Sequence, residues 1–262
     1  MTPPDPRDEL EGTEQPFVAH LVELRDRLVR AVIAVLVCFG ALALWPGPAE
    51  LYDLLAQPLV RHLPAGTTLI ATSVISPFLV PLKITLMGAF LVALPVVLYQ
   101  VWAFVAPGLY SHEKKMVLPL VISSSLLFFV GVAFCYFVVI PSLTKFIVAV
   151  APSSINTAPD IEQYFGTVLT LFLVFGIAFE VPVAVVVLAR IGVVSIDQLK
   201  KFRGYFVVVA FIASAIVTPP DVVSQLSLAI PLCLLYEIGI WSARLFIRVT
   251  KAPEEATATK ET

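Results

Sequence analysis

The chain has 262 residues, of which 59% are hydrophobic and 14% charged, and its formal net charge is -2. So little polar surface cannot cover a soluble globule, and the excess apolar surface must face lipid. A near-neutral balance, with Lys and Arg gathered between apolar runs, provides no basic field and excludes nucleic acid as a partner.

A spanning helix needs about 20 apolar residues, because the hydrocarbon core is about 30 Å thick and each residue rises 1.5 Å. The chain opens with an acidic segment, 1–16, expected to be a disordered tail. Phe17, Leu21, Leu24 and Leu28 then fall on one helical face, with Glu23, Asp26, Arg27 and Arg30 off it, which predicts an amphipathic helix along the membrane interface. The first apolar run covers about 28–45. Arg25, Arg27 and Arg30 before it and Ala41-Leu42-Ala43 within it mimic a cleavable signal peptide. The long lead-in and Trp45-Pro46-Gly47 instead fit an uncleaved helix that ends at an interface.

Five more runs follow at about 82–104, 117–140, 165–189, 205–217 and 222–241, so the expected fold is all-α, six transmembrane helices in one domain, 17–246. The tail 247–262 is expected to be disordered. Long apolar runs without an alternating polar face exclude a β-barrel. The loops at 46–77 and 141–163 are rich in proline and carry short amphipathic pieces such as Leu51-Tyr52-Asp53-Leu54-Leu55, which predicts a structured cap on the outer side. Between the last two runs, Thr218-Pro219-Pro220-Asp221 makes a tight hairpin.

Fourteen of the seventeen Lys and Arg residues fall in the two tails and in the second and fourth loops. By the positive-inside rule those segments, and both termini, are cytoplasmic.

Cys38, Cys135 and Cys233 sit singly in apolar runs, and His20, His62 and His112 in separate polar segments, so neither a metal site nor a cofactor is expected. The sequence contains no H-E-x-x-H, G-x-S-x-G or P-loop pattern, and no enzyme is expected. Charged groups in the spans carry more information, because a charge at the bilayer centre is costly. Glu180, in Phe179-Glu180-Val181-Pro182, either pairs within the bundle or lines a polar groove or partner surface. Glu237 lies nearer a helix end, where it can snorkel or pair with Arg244. Glu23 is four residues from Arg27, the spacing of an ion pair within a helix, and Glu113 follows Ser111, a good helix N-cap.

Four motifs, in this order, resemble the TatC family: His20-Leu21-Val22-Glu23-Leu24-Arg25-Asp26-Arg27; Leu98-Tyr99-Gln100-Val101-Trp102-Ala103-Phe104 on to Glu113; Phe179-Glu180-Val181-Pro182; and Thr218-Pro219-Pro220-Asp221. The likeness runs from about His20 to Arg244. It implies a core subunit of the twin-arginine translocase in the cytoplasmic (inner) membrane, which binds signal peptides bearing consecutive arginines. Single-span partners, TatA and TatB, would join it in moving folded proteins on the proton-motive force, as a homo-oligomer within a hetero-oligomeric complex. Carried over residue by residue, the peptide site is Glu23, Leu24, Arg25, Phe104 and Glu113, with Pro58 in the outer cap. Thr218 and Gln225 are the partner-helix contacts, unless they serve only the hairpin itself. A guanidinium makes forked, charge-assisted bonds to a carboxylate that lysine copies poorly, so two carboxylates suit two arginines. The sequence departs from the family pattern at Ser73 and Ser111, where acidic and basic residues are usual, and at Ala215. An ion-coupled small-solute transporter is the competing reading of a buried Glu180, although no internal repeat accompanies it.

Overall fold

A computed structural model describes residues 6–60, 69–105, 117–150, 159–190, 192–217 and 222–251. Helix α1 (Pro6–Leu44) is continuous, joining the amphipathic segment and the first span. It begins at Pro6, a residue whose missing N–H is not needed at a helix start. Gly47, at φ +100°, closes the far end by donating its N–H to the Leu42 carbonyl.

Helix α2 (Pro48–Val60) follows, then α3 (Ser76–Val105), which packs along α1. Helix α4 (Val117–Phe134) does not stop at the expected boundary before Pro141. A π-helical turn, Cys135–Val139, carries the chain into α5 (Ile140–Val150), with the Ile140 N–H bonding back to the Cys135 carbonyl. That wider turn shifts the register and leaves Pro141 in the first turn of α5, where a missing donor is tolerated. The fourth run is likewise two helices, α6 (Ile161–Phe179) and α7 (Val181–Arg190), broken at Glu180.

Ser195 starts α8 (Ile196–Lys201) with a reciprocal capping box to Gln198. Helix α9 (Arg203–Val217) has 15 residues, about 22 Å at 1.5 Å per residue. Helix α10 (Val222–Lys251) is long. Among the described residues, five stretches are long and apolar enough to cross a membrane: Val18–Leu44, Ser76–Phe104, Val117–Phe146, Ile161–Arg190 and Gln225–Leu245. Helix α9 is apolar but shorter.

Burial identifies the centre of the bundle. Half of the Ile161–Arg190 span is buried, against 6% of Val18–Leu44. Val168, Leu171, Phe172 and Phe175 of α6 form the main core with Cys135, Val139, Leu228 and Leu232. Helix α4 reaches α6 through glycine: a Cβ added at Gly131 would stand 2.5 Å from the Phe175 carbonyl oxygen, so no side chain fits unless the backbone moves. Gly239 also brings α10 close to α7, its would-be Cβ 3.0 Å from Pro182 Cα.

Candidate functional site

Two of the four motifs meet where α1 begins to span and α3 ends. The His20 ring stacks on Phe104 with centroids 4.4 Å apart and planes 17° from parallel. One helical turn along α1, Glu23 receives two bonds from Arg27: Nε at 2.9 Å and Nη2 at 2.6 Å both donate to Oε1. The other oxygen, Oε2, is 3.8 Å from His20 Nδ1. Spacing of three and four residues puts His20, Glu23 and Arg27 on one strip of the helix, which is why they form a line. The Glu23 side chain keeps 34% of its surface exposed, enough for a ligand to reach it.

Leu24 beside it is exposed, and Arg25 is 69% exposed with its guanidinium held on Asp26 at 2.7 and 2.9 Å. The structure thus brings His20 of the first motif onto Phe104 of the second with Glu23 beside it, while Leu24 and Arg25 follow Glu23 around the helix. Glu113 and Ser111 lie outside the described residues. His20, read from the sequence only as a solitary histidine, is the residue that joins the two motifs. Its position three residues before Glu23 was the available signal.

Glu180 sits at the break between α6 and α7. Its N–H turns back to the Ile177 carbonyl and its carbonyl accepts from Ala184, while Pro182 has no N–H to offer the Ala178 carbonyl. The side chain is half-buried, with the Ser124 hydroxyl of α4 its hydrogen-bonding neighbour. Oε1 is buried and has no hydrogen-bond partner among the described residues. Ser124 also accepts from the Trp102 indole at 3.0 Å, which ties α3, α4 and the α6–α7 break together at one polar point.

In the α9–α10 hairpin, Gln225 donates to the Phe211 carbonyl at 3.2 Å; Thr218 lies outside the described residues. The outward face of α9 is apolar and open, with Tyr205, Val208, Ile212 and Ile216 exposed. At the basic end, Glu237 pairs with Arg203 at 2.6 Å and not with Arg244, because the hairpin sets α9 beside α10. The Tyr236 hydroxyl donates to the Leu199 carbonyl and its ring stacks on Phe206, which fixes α8 and α9 against α10.

At the opposite end, Asp160 fastens one loop to the other. Its Oδ1 accepts the Glu162 and Gln163 N–H groups as an N-cap, and its Oδ2 accepts the Thr72 hydroxyl at 2.6 Å and N–H at 3.0 Å. The Thr72 hydroxyl, followed by the backbone amides, holds the Asp160 carboxyl below its ordinary value. Ser73, where the family pattern is acidic, accepts the Ile75 N–H at the start of α3. Pro58, near the end of α2, offers no N–H to the Leu54 carbonyl, and the Tyr136 hydroxyl donates to that carbonyl instead at 3.0 Å. That bond ties α2 to the π-helical turn.

Residues 19–231 match the family model for the Sec-independent protein translocase protein (TatC). The chain belongs to the TatC family. Among individual TatC proteins, that of Halothiobacillus neapolitanus is 52% identical over 236 residues, 90% of this chain and 64% of its own length. The TatC protein of Escherichia coli K12 is 46% identical over 241 residues, 92% of this chain and 93% of its own. A crystal structure titled as the twin-arginine translocase receptor TatC shares 42% identity and a TM-score of 0.74, covering 86% of this chain and 98% of that one. Another, titled as the same receptor in DDM, shares 40% identity with a TM-score of 0.75. The four motifs thus stand in a TatC-family membrane protein whose helices reproduce a solved TatC fold.

Proposed function

We propose that this chain is the signal-peptide receptor and core subunit of a twin-arginine translocation system, exporting folded proteins across the cytoplasmic membrane on the proton-motive force. The observation that carries this reading is the stack of His20 on Phe104, because it joins two motifs about 80 residues apart into one exposed, acid-bearing patch. Glu23 supplies the carboxylate for an incoming guanidinium, Phe104 an apolar wall, and Leu24 and Arg25 the rim. Glu113 is the second carboxylate of the site.

In this reading α9 is the sixth span, short because it relies on a partner helix or a thinned bilayer, and both termini lie in the cytoplasm with the basic loops. Single-span TatA and TatB helices cover its open face near Thr218 and Gln225, and Glu180 faces a polar groove or partner within the bilayer. What supports the partner surface is the row of exposed apolar side chains on α9 beside a polar hairpin end.

Capture of a twin-arginine precursor by the purified protein in detergent tests the reading. Binding should be retained with the wild-type signal and lost when its two arginines are replaced by lysines. Equal capture of both precursors would overturn it.

A further inference from the structure

Arg27 places a guanidinium of the protein's own on the carboxylate that the proposed function assigns to a ligand guanidinium. Its Nε and Nη2 both bond to Glu23 Oε1, at 2.9 and 2.6 Å, and the Arg27 side chain is only 21% exposed, more covered than Glu23 itself. The two atoms that bond Glu23 are the pair that a ligand arginine would present in a forked contact. From the opposite side, His20 approaches Oε2 at 3.8 Å and is itself held by the stack on Phe104. A ligand arginine seeking the full carboxylate therefore finds one oxygen taken.

We infer that Arg27 is a built-in competitor for the signal peptide: it occupies Glu23 in the empty receptor and is released when a ligand arginine takes its place. The inference rests on the proposed peptide site. Apparent affinity falls by the fraction of receptor in which the competent state is closed off, so an internal competitor weakens every arginine ligand by one factor. Arg27 would thereby set the affinity threshold that a signal must exceed, while the preference for arginine over lysine remains with the carboxylates. A pair at this spacing within one helix is weak, which suits a contact that must exchange in each cycle.

A charge-conserving change separates competition from long-range electrostatics. Arg27→Lys keeps the positive charge and removes the fork, whereas Arg27→Gln removes both. Affinities are measured in detergent for a synthetic twin-arginine peptide and its twin-lysine counterpart, beside wild-type protein. Competition predicts that Arg27→Lys binds the twin-arginine peptide about two- to fivefold more tightly, the range set by a surface pair of this kind. Unchanged or weaker binding by a folded Arg27→Lys would overturn the inference: unchanged binding means the pair does not compete, and weaker binding means that Arg27 positions Glu23. Wild-type protein gives a second reading that needs no variant. Modification of Arg27 by a guanidine-selective dicarbonyl, read by mass spectrometry, should rise when peptide is bound, and a constant or lower rate would contradict release. If wild-type protein binds the arginine and lysine peptides equally, it is the peptide site that fails, an outcome distinct from either of these.

Discussion

Glu23→Lys is expected to weaken twin-arginine peptide binding by about 100-fold, since a hydrogen bond to a charged group is worth about 1.5 to 3 kcal/mol and each 1.4 kcal/mol is a factor of ten. The substitution removes the acceptor and sets a second cation beside Arg27, so an incoming guanidinium meets repulsion where it had an anchor. Folding should be almost untouched, because the pair that is lost is a partly exposed pair within one helix and such pairs contribute about 0 to 1 kcal/mol. Glu113→Lys should act in the same direction, and the double variant should bind no more tightly than either single one. Titration calorimetry or fluorescence anisotropy with the peptide, alongside a thermal melt, provides the check. A double variant that binds like wild type would remove both carboxylates from the site.

Glu180→Leu should separate stability from transport. In the folded protein one carboxylate oxygen is buried without a partner, which is a desolvation cost, and an apolar side chain of similar length removes it. Thermal stability of the variant should therefore equal or exceed that of wild type. Export of a folded reporter should nevertheless fall by about tenfold or more, because a costly intramembrane carboxylate is kept for function. Glu180→Gln, which retains a polar end for Ser124, should lie between the two. A Glu180→Leu protein with reduced stability and normal export per folded molecule would make Glu180 a structural residue.

Much of this architecture was legible from the runs of apolar residues, because a bilayer leaves helices as the only way to satisfy the backbone in such segments. The short α9 and the amphipathic helix α2 followed from composition and periodicity in the same way. The boundaries were less legible where a local device intervened. Pro141 reads as a stop, and only the π-helical turn before it lets the helix continue. Residues 165–189 read as a single span, whereas the chain breaks at Glu180 into two helices. At the site, spacing gave the Glu23–Arg27 pair directly, because residues four apart share a helix face. The His20–Phe104 stack was out of reach, since it depends on where α3 ends relative to α1, and so were the Asp160–Thr72 staple and the Tyr136 bond to Leu54, each spanning more than 80 residues.

The central claim is that a twin-arginine signal docks where His20 and Glu23 of α1 meet Phe104 of α3. Photo-crosslinking tests it most directly: a signal peptide carrying a photoreactive residue next to its arginines is irradiated with the receptor in native membranes, and the attachment sites are mapped by mass spectrometry. The account predicts attachment within α1 around 20–27 and at the end of α3 around Phe104, abolished when the arginines are replaced by lysines. Attachment confined to α9 or α10, or attachment near Phe104 that persists with lysines, would contradict it.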